Sequence, residues 1–394
     1  MLLAGGCQQG PPPPYPTWGR AAQAIRVESG GPFAVLAQAA QEAETRAGPL
    51  ANRVTFTPDQ QKAVGSALER PLAQVRSVIG RPVDFTFQPH APTQAPPYQR
   101  GWRLIGRSLV WDVQAAVANH NLDAAISSAN QATGFGFALT GGGASDASLG
   151  LSIADEARRA IAPSLGSMSP AQLDRLASGI DGALKLKPTL QAAMRNERLN
   201  MLLGVQNLQD AYRRQDEEGL KRQFGSDARE AIAYLKELHA SDLRKRPAYF
   251  EGLAHEAETE ASWLGTACLQ PAIKREGGSP PVGGRQPWRK FAKQLFGTGR
   301  PLLAVNDATL ARSRLLILTC RALAQVKRTG AAPRDLSEIP TRLRQDPYTG
   351  RPFAYRADGP DFVLYSVGAD FKDDGGETDE SFTAPDLALE RPKE

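Results

Sequence analysis

The stretch LLAVNDATLARSRLLILTCRALAQVKRTG, residues 302–330, decides how the chain is read. Its apolar residues recur at helical spacing, which predicts one long helix, and Gly330 stands where a left-handed residue closes such a helix. Arg312, Arg314, Arg321 and Lys327 break the apolar run. The helix therefore cannot lie in a bilayer or form the spine of a fibre. Beyond it, Pro333, Pro340 and Pro347 forbid long helix, and PFAYRADGPDFVLYSVG (352–368) reads as two strands joined at Asp358–Gly359–Pro360.

Upstream the pattern is different. From Tyr98 to about Ala272 the chain reads as successive helices joined by short connections, over 102–120, 122–139, 145–162, 169–184, 190–214, 226–246 and 250–269. Serines at 145 and 169 are placed to cap two of them. TPDQQKAVGSALERPLAQV (57–75) is a further helix opened by Thr57 and interrupted at Pro71. The expected class is mainly α: a helical array or bundle, then a small α+β C-terminal domain of one long helix and a short antiparallel sheet. The expected divisions are a tether over 1–25, a small N-terminal segment with a proline-rich linker over 26–97, the array over 98–272, a basic linker over 273–301, and the last module over 302–394.

Charge is divided along the chain. The net of +5 over 394 residues hides a C-terminal segment, 358–394, with eleven Asp and Glu against three Lys and Arg. A basic body and an acidic tail imply partners of each sign, contact between the two, or two solvated surfaces. Three cysteines, Cys7, Cys268 and Cys320, form neither a disulfide framework nor a zinc pattern. No apolar run approaches the roughly 20 residues of a membrane span.

The opening MLLAGGC resembles the end of a bacterial lipoprotein signal, in which the cysteine, here Cys7, is acylated. PPPPYP (11–16) follows it as a stiff tether. The resemblance implies a periplasmic or cell-envelope protein attached by lipid alone, in a compartment where Cys268 and Cys320 either pair or stay free. A soluble protein is the other reading.

The tail DFVLYSVGADFKDDGGE (361–377) concentrates carboxylates, the hard oxygen ligands that Ca²⁺ takes. Lys372 stands where an EF-hand needs its second acid, so the loop is not an EF-hand. Together with the long helix and DPYTGRPFAYR (346–356), the tail resembles the C-terminal part of the type II secretion major pseudopilin. The resemblance implies a structural calcium ion held by Asp370, Asp373 and Asp374, with a backbone carbonyl such as that of Val367 and with Glu377 as a further candidate. Tyr348 stands for the family's tryptophan, and the apolar N-terminal span of a pilin has no counterpart in this helix. The whole arrangement also resembles uncharacterised bacterial envelope proteins with the same ending. Without the resemblance, the tail reads equally as a solvated acidic turn.

The remaining constellations carry less chemistry. HEAETE (255–260) has threonine where a zincin needs its second histidine, and reads as a charged solvent face. TGFGFALTGGGAS (133–145) lacks the lysine of a phosphate loop, and its small residues instead let two helices approach. RQPWRKFAKQLFGTGR (285–300) mixes cations and aromatics; it reads as a basic linker, with a membrane surface or an acidic partner favoured over nucleic acid. Ser366 has no base beside it in sequence. The expected function is a non-enzymatic envelope scaffold or interaction lipoprotein; the resemblance to the pseudopilin alone implies a link to type II secretion or pilus-like machinery. An exported hydrolase with its site in the helical array, or a peptide- or lipid-binding helical module, are the alternatives.

Overall fold

The computed structural model describes residues 31–86, 98–224, 228–240, 246–275, 299–376 and 386–389. The chain is mainly helical (72% helix), with a three-stranded antiparallel sheet near its C-terminal end. Cys7 and its tether, the basic segment 285–298 and Glu377 lie outside the described residues.

Three helices come first: α1 (Pro32–Ala47), α2 (Pro58–Ala67) and α3 (Glu69–Val78). Thr57 opens α2 as predicted. Its hydroxyl accepts from the Gln60 amide at 3.3 Å, and the Gln60 side chain accepts from the Thr57 amide at 3.1 Å. Pro71 sits in the first turn of α3, where a missing N–H breaks no helical bond. These helices pack on α4 (Gln99–Ala118) and share a core with α5 (Leu122–Leu139). Phe33, Leu36, Val75, Trp102, Ile105 and Phe135 share that interior. Phe85, in the extended segment after α3, lies 4.6 Å from Phe33 and 5.6 Å from Trp102, ring to ring.

Helix α6 (Ala144–Ile161) and helix α7 (Pro170–Leu186) complete the central layer around α5. Ser169 caps α7 through the Gln172 amide, as its position predicts. Ser145 does not cap α6. The helix already begins at Ala144, and the Asp146 carboxylate instead accepts from the Gly143 amide at 3.2 Å. Beyond this layer, α8 (Leu190–Arg214) pairs with α11 (Arg246–Ala267), and the short α9 (Glu217–Phe224) and α10 (Ala228–Ala240) pack together beside α8. No pattern in the sequence predicts α9. Its eight residues hold four charges, which hide its short apolar contact.

The long helix, α12 (Gly299–Thr329), ends as predicted at Gly330, whose φ is +77° and whose amide donates to the Val326 carbonyl at 2.8 Å. It packs along α6 and α7. Val113, Ile126, Leu173, Leu315, Leu318 and Phe362 belong to a single core. The segment that the sequence sets apart from residue 302 thus shares its interior with the array. Each large apolar side chain buried there is worth roughly 1.5–3 kcal/mol, so α12 is a structural member of the bundle.

After the one-turn α13 (Thr341–Arg344), the sheet is built from β1 (Ala354–Asp358), β2 (Asp361–Ser366) and β3 (Leu387–Ala388), in the order β1-β2-β3. Gly359, at φ +58°, turns β1 into β2. Phe362, Leu364 and Ser366 are buried along β2 while Asp361 and Val363 are exposed, so one face lies on α12. Strand β3 comes from the acidic tail and pairs Ala388 with Tyr365.

Candidate functional site

The two sequence motifs of the C-terminal part meet at one buried carboxylate. Asp346 opens the DPYTG turn and is 2% exposed. Its oxygens accept from the Tyr348 amide at 2.9 Å, from the Ser366 hydroxyl at 2.8 Å and from the Val367 amide. Ser366 is fully buried and its Oγ accepts from the Gly368 amide at 3.2 Å. Gly368 has φ +69°, a conformation that favours glycine. The serine therefore fastens the end of β2 to the turn. Burial, chiefly, pushes the Asp346 carboxyl up, against the pull of those donors and of Arg314.

This carboxylate belongs to a polar seam between the sheet and the bundle. Arg275 grips Asp307 of α12 through two bonds, at 2.6 and 3.1 Å. Burial raises the Asp307 carboxyl to about 6 in spite of Arg275, and Asp346 adds to the rise. Arg314 donates to the Gln345 carbonyl at 2.6 Å. The amides of Ala272 and Ile273 donate to the carbonyls of Pro347 and Tyr348 at 3.1 and 2.9 Å. Arg342 of α13 reaches Asp181 of α7 at 2.5 Å, and Arg328 pairs with Asp174. Arginines whose spacing alone would cover α12 with charge are in part internal fasteners.

The acidic loop follows β2. Asp370 Oδ1 accepts from the Lys372 amide at 3.1 Å, and Asp373 Oδ1 accepts from the Tyr365 hydroxyl at 2.6 Å and the Gly375 amide at 3.1 Å. The tyrosine bond holds the exposed Asp373 carboxyl below its ordinary range and raises the phenol to about 12. Asp370, Asp373 and Asp374 are all exposed. Among the described residues no group of three or more His, Cys, Asp or Glu is gathered around one point as a metal site. The Val367 amide is engaged by Asp346.

One residue here has no signal of its own in the acid pattern. Asp386, just before β3, is 0% exposed, and its Oδ2 accepts from the amides of Gly376 at 2.7 Å and Asp374 at 3.2 Å. Among the described residues its buried Oδ1 has no hydrogen-bond partner. Burial, then the neighbouring Asp373 and Asp374 carboxylates, push the group up against those two amides. What marks it is LAL after the acid at 386, a short apolar run that docks the tail.

HEAETE is not a solvent face. Glu256 and Glu260 are buried, and two of the three glutamates in the stretch are held in bidentate pairs. Arg198 grips Glu258 with two bonds of 2.6 Å, and Arg300 grips Glu260 with two of 2.7 Å. His255 stays exposed on the outer face, as does Glu251 one turn before it. The arginine partners lie 60 and 40 residues away, beyond the reach of local pattern. Cys268 and Cys320 are free thiols, the second in the core.

A cleft of about 420 Å³ lies between α5 and α7, under the turn that follows α3. Val78, Ile79, Phe135 and Leu186 give it apolar walls, Gly134, Gly179 and Gly182 line its helices, and Arg81 stands on its border. Comparison of the chain with family models, with curated proteins and with solved structures finds no match.

Proposed function

We propose that the protein is a non-enzymatic scaffold or interaction protein of the bacterial cell envelope, whose C-terminal sheet carries a structural calcium ion. The observation that carries the reading is Asp386: a buried carboxylate with one oxygen left unpaired among the described residues, beside Asp373 and Asp374. A buried, unpaired oxygen of this kind is costly unless a cation completes it. The side-chain donors are all carboxylate oxygens, which suits Ca²⁺. Asp370, Asp373, Asp374 and Asp386 would hold the ion, with the Val367 carbonyl and Glu377 as further oxygens. Its chemistry is neutralisation: it would fasten the loop after β2 to the start of β3.

The bond between Asp346 and Ser366 supports the likeness to the major pseudopilin, because it makes the two shared motifs parts of one device. That likeness favours a place beside type II secretion or pilus-like machinery, with a lipid on Cys7 as the membrane attachment. The bidentate pairing of Glu258, Glu260 and Asp307 favours a scaffold over a hydrolase, since these carboxylates are occupied in holding helices together.

The test is thermal unfolding of the full chain in EDTA, then with Ca²⁺ or Mg²⁺. The full chain is required because α12 shares its core with α6 and α7. A hundredfold excess over Kd stabilises by about 2.7 kcal/mol, so calcium should raise Tm by roughly 3–6 °C. The rise should vanish in Asp386→Asn and Asp373→Ala. Equal shifts with both ions, or none, would make the loop an acidic turn and remove the calcium from this reading.

A further inference from the structure

We propose that the cleft between α5 and α7 binds a free fatty acid, a single-chain carboxylate of medium length. Its volume of about 420 Å³ falls within the range of small-molecule sites. Its lining is extended along two helices. The lining runs from Ser127 to Ala138 on α5 and from Ser178 to Leu186 on α7, roughly 12–16 Å of helix. An extended alkyl chain matches such a slot better than a compact ring does.

The glycines make the slot. A Cβ on Gly179 would strike the Asn130 amide at 2.1 Å, and one on Gly134 would meet Ile79 at 2.9 Å, so both let the walls close neatly. Gly182 is different. A Cβ there meets nothing within 4 Å, although the residue lies inside α7. Glycine weakens a helix interior, and no packing contact accounts for its presence at this position. At this position the glycine leaves the cleft open.

The polar end is set by Arg81. Gly80, at φ +90°, turns the chain sharply after α3 and leaves Arg81 exposed on the border of the cleft. No carboxylate among the described residues pairs with it. One cation beside an apolar slot suits one carboxylate; a polyphosphate would call for several cations. A peptide would need a row of backbone partners, which the side chains of two packed helices do not offer.

The experiment is calorimetric titration of the full chain with dodecanoate and, separately, with dodecan-1-ol and with phosphatidylglycerol vesicles. Wild type should bind dodecanoate one to one. Gly182→Leu should lose at least tenfold in affinity while keeping its far-UV circular dichroism and Tm. Arg81→Gln should weaken dodecanoate about fivefold and leave the alcohol unchanged; being exposed, it keeps the proposal testable if Gly182→Leu fails to fold. Three results would overturn it: no binding of dodecanoate by wild type, equal weakening of acid and alcohol by Arg81→Gln, or binding to vesicles only. Undiminished binding by a folded Gly182→Leu would do the same.

Discussion

Helix α5 has two neighbours that use glycine in opposite ways. Against α6, Gly136 and Gly150 bring two backbones together: a Cβ on Gly150 would lie 2.1 Å from the Gly136 carbonyl oxygen, and one on Gly136 would lie 2.4 Å from that of Gly150. The expectation that TGFGFALTGGGAS permits close helix approach is met there. Against α7, Gly179 closes on Asn130 in the same way, whereas Gly182 faces open space beside the cleft. The same residue type closes one contact and leaves another open, even along α7 itself. Sequence composition alone gives both sides the same label.

The contrast can be broken most forcefully on the closed side. Gly150→Val forces a branched side chain into a backbone carbonyl and should destabilise by about 4 kcal/mol or more, measured as the midpoint of urea unfolding. A loss below 1 kcal/mol would mean that the two helices part cheaply.

The next effect is on pH. Asp146, at the start of α6, is 3% exposed, and burial above all, with Glu197 nearby, raises its carboxyl to about 7. A group protonated in the folded state at a pH where the unfolded chain has released its proton makes stability fall with rising pH. The contribution is full below about pH 4 and is lost as pH rises through 7, on the order of 4 kcal/mol. Asp146→Asn should flatten that slope between pH 4 and 8; an unchanged slope would place the titration elsewhere. The smallest effect lies on the open side. Gly182→Ala should stabilise the ligand-free protein by about 0.5–1 kcal/mol, opposite in sign to Gly150→Val. Destabilisation would show that the cleft is already filled by side chains.

Helices with strong caps are legible in the amino-acid sequence. Thr57, Ser169 and Gly330 mark their termini by local hydrogen bonding, and the spans 122–139 and 190–214 match α5 and α8 residue for residue. The two strands and their turn are legible from alternation and a glycine. The candidate sites are not. Asp346 depends on Ser366, 20 residues away, and Glu260 on Arg300, 40 away. A charge reads locally as solvated until the fold supplies a distant partner. Asp386 is lost among the other acids of the tail, because its burial is decided by β3, a two-residue strand with almost no periodicity of its own. Arg312 and Arg314 are enough to exclude a bilayer for α12, yet their partners, Asp155 and the Gln345 carbonyl, leave no trace in local pattern.

The core around α12 also has a consequence for the order of synthesis. It joins Val113 to Leu389, so the interior begun by α4 stays unfinished while the ribosome makes about 270 further residues. At about 5–20 residues per second that interval is roughly a quarter of a minute to a minute. From the completion of α7 until α12 has been made, the apolar faces of α6 and α7 are without their cover. A chain interrupted before α12 would leave that central seam uncovered.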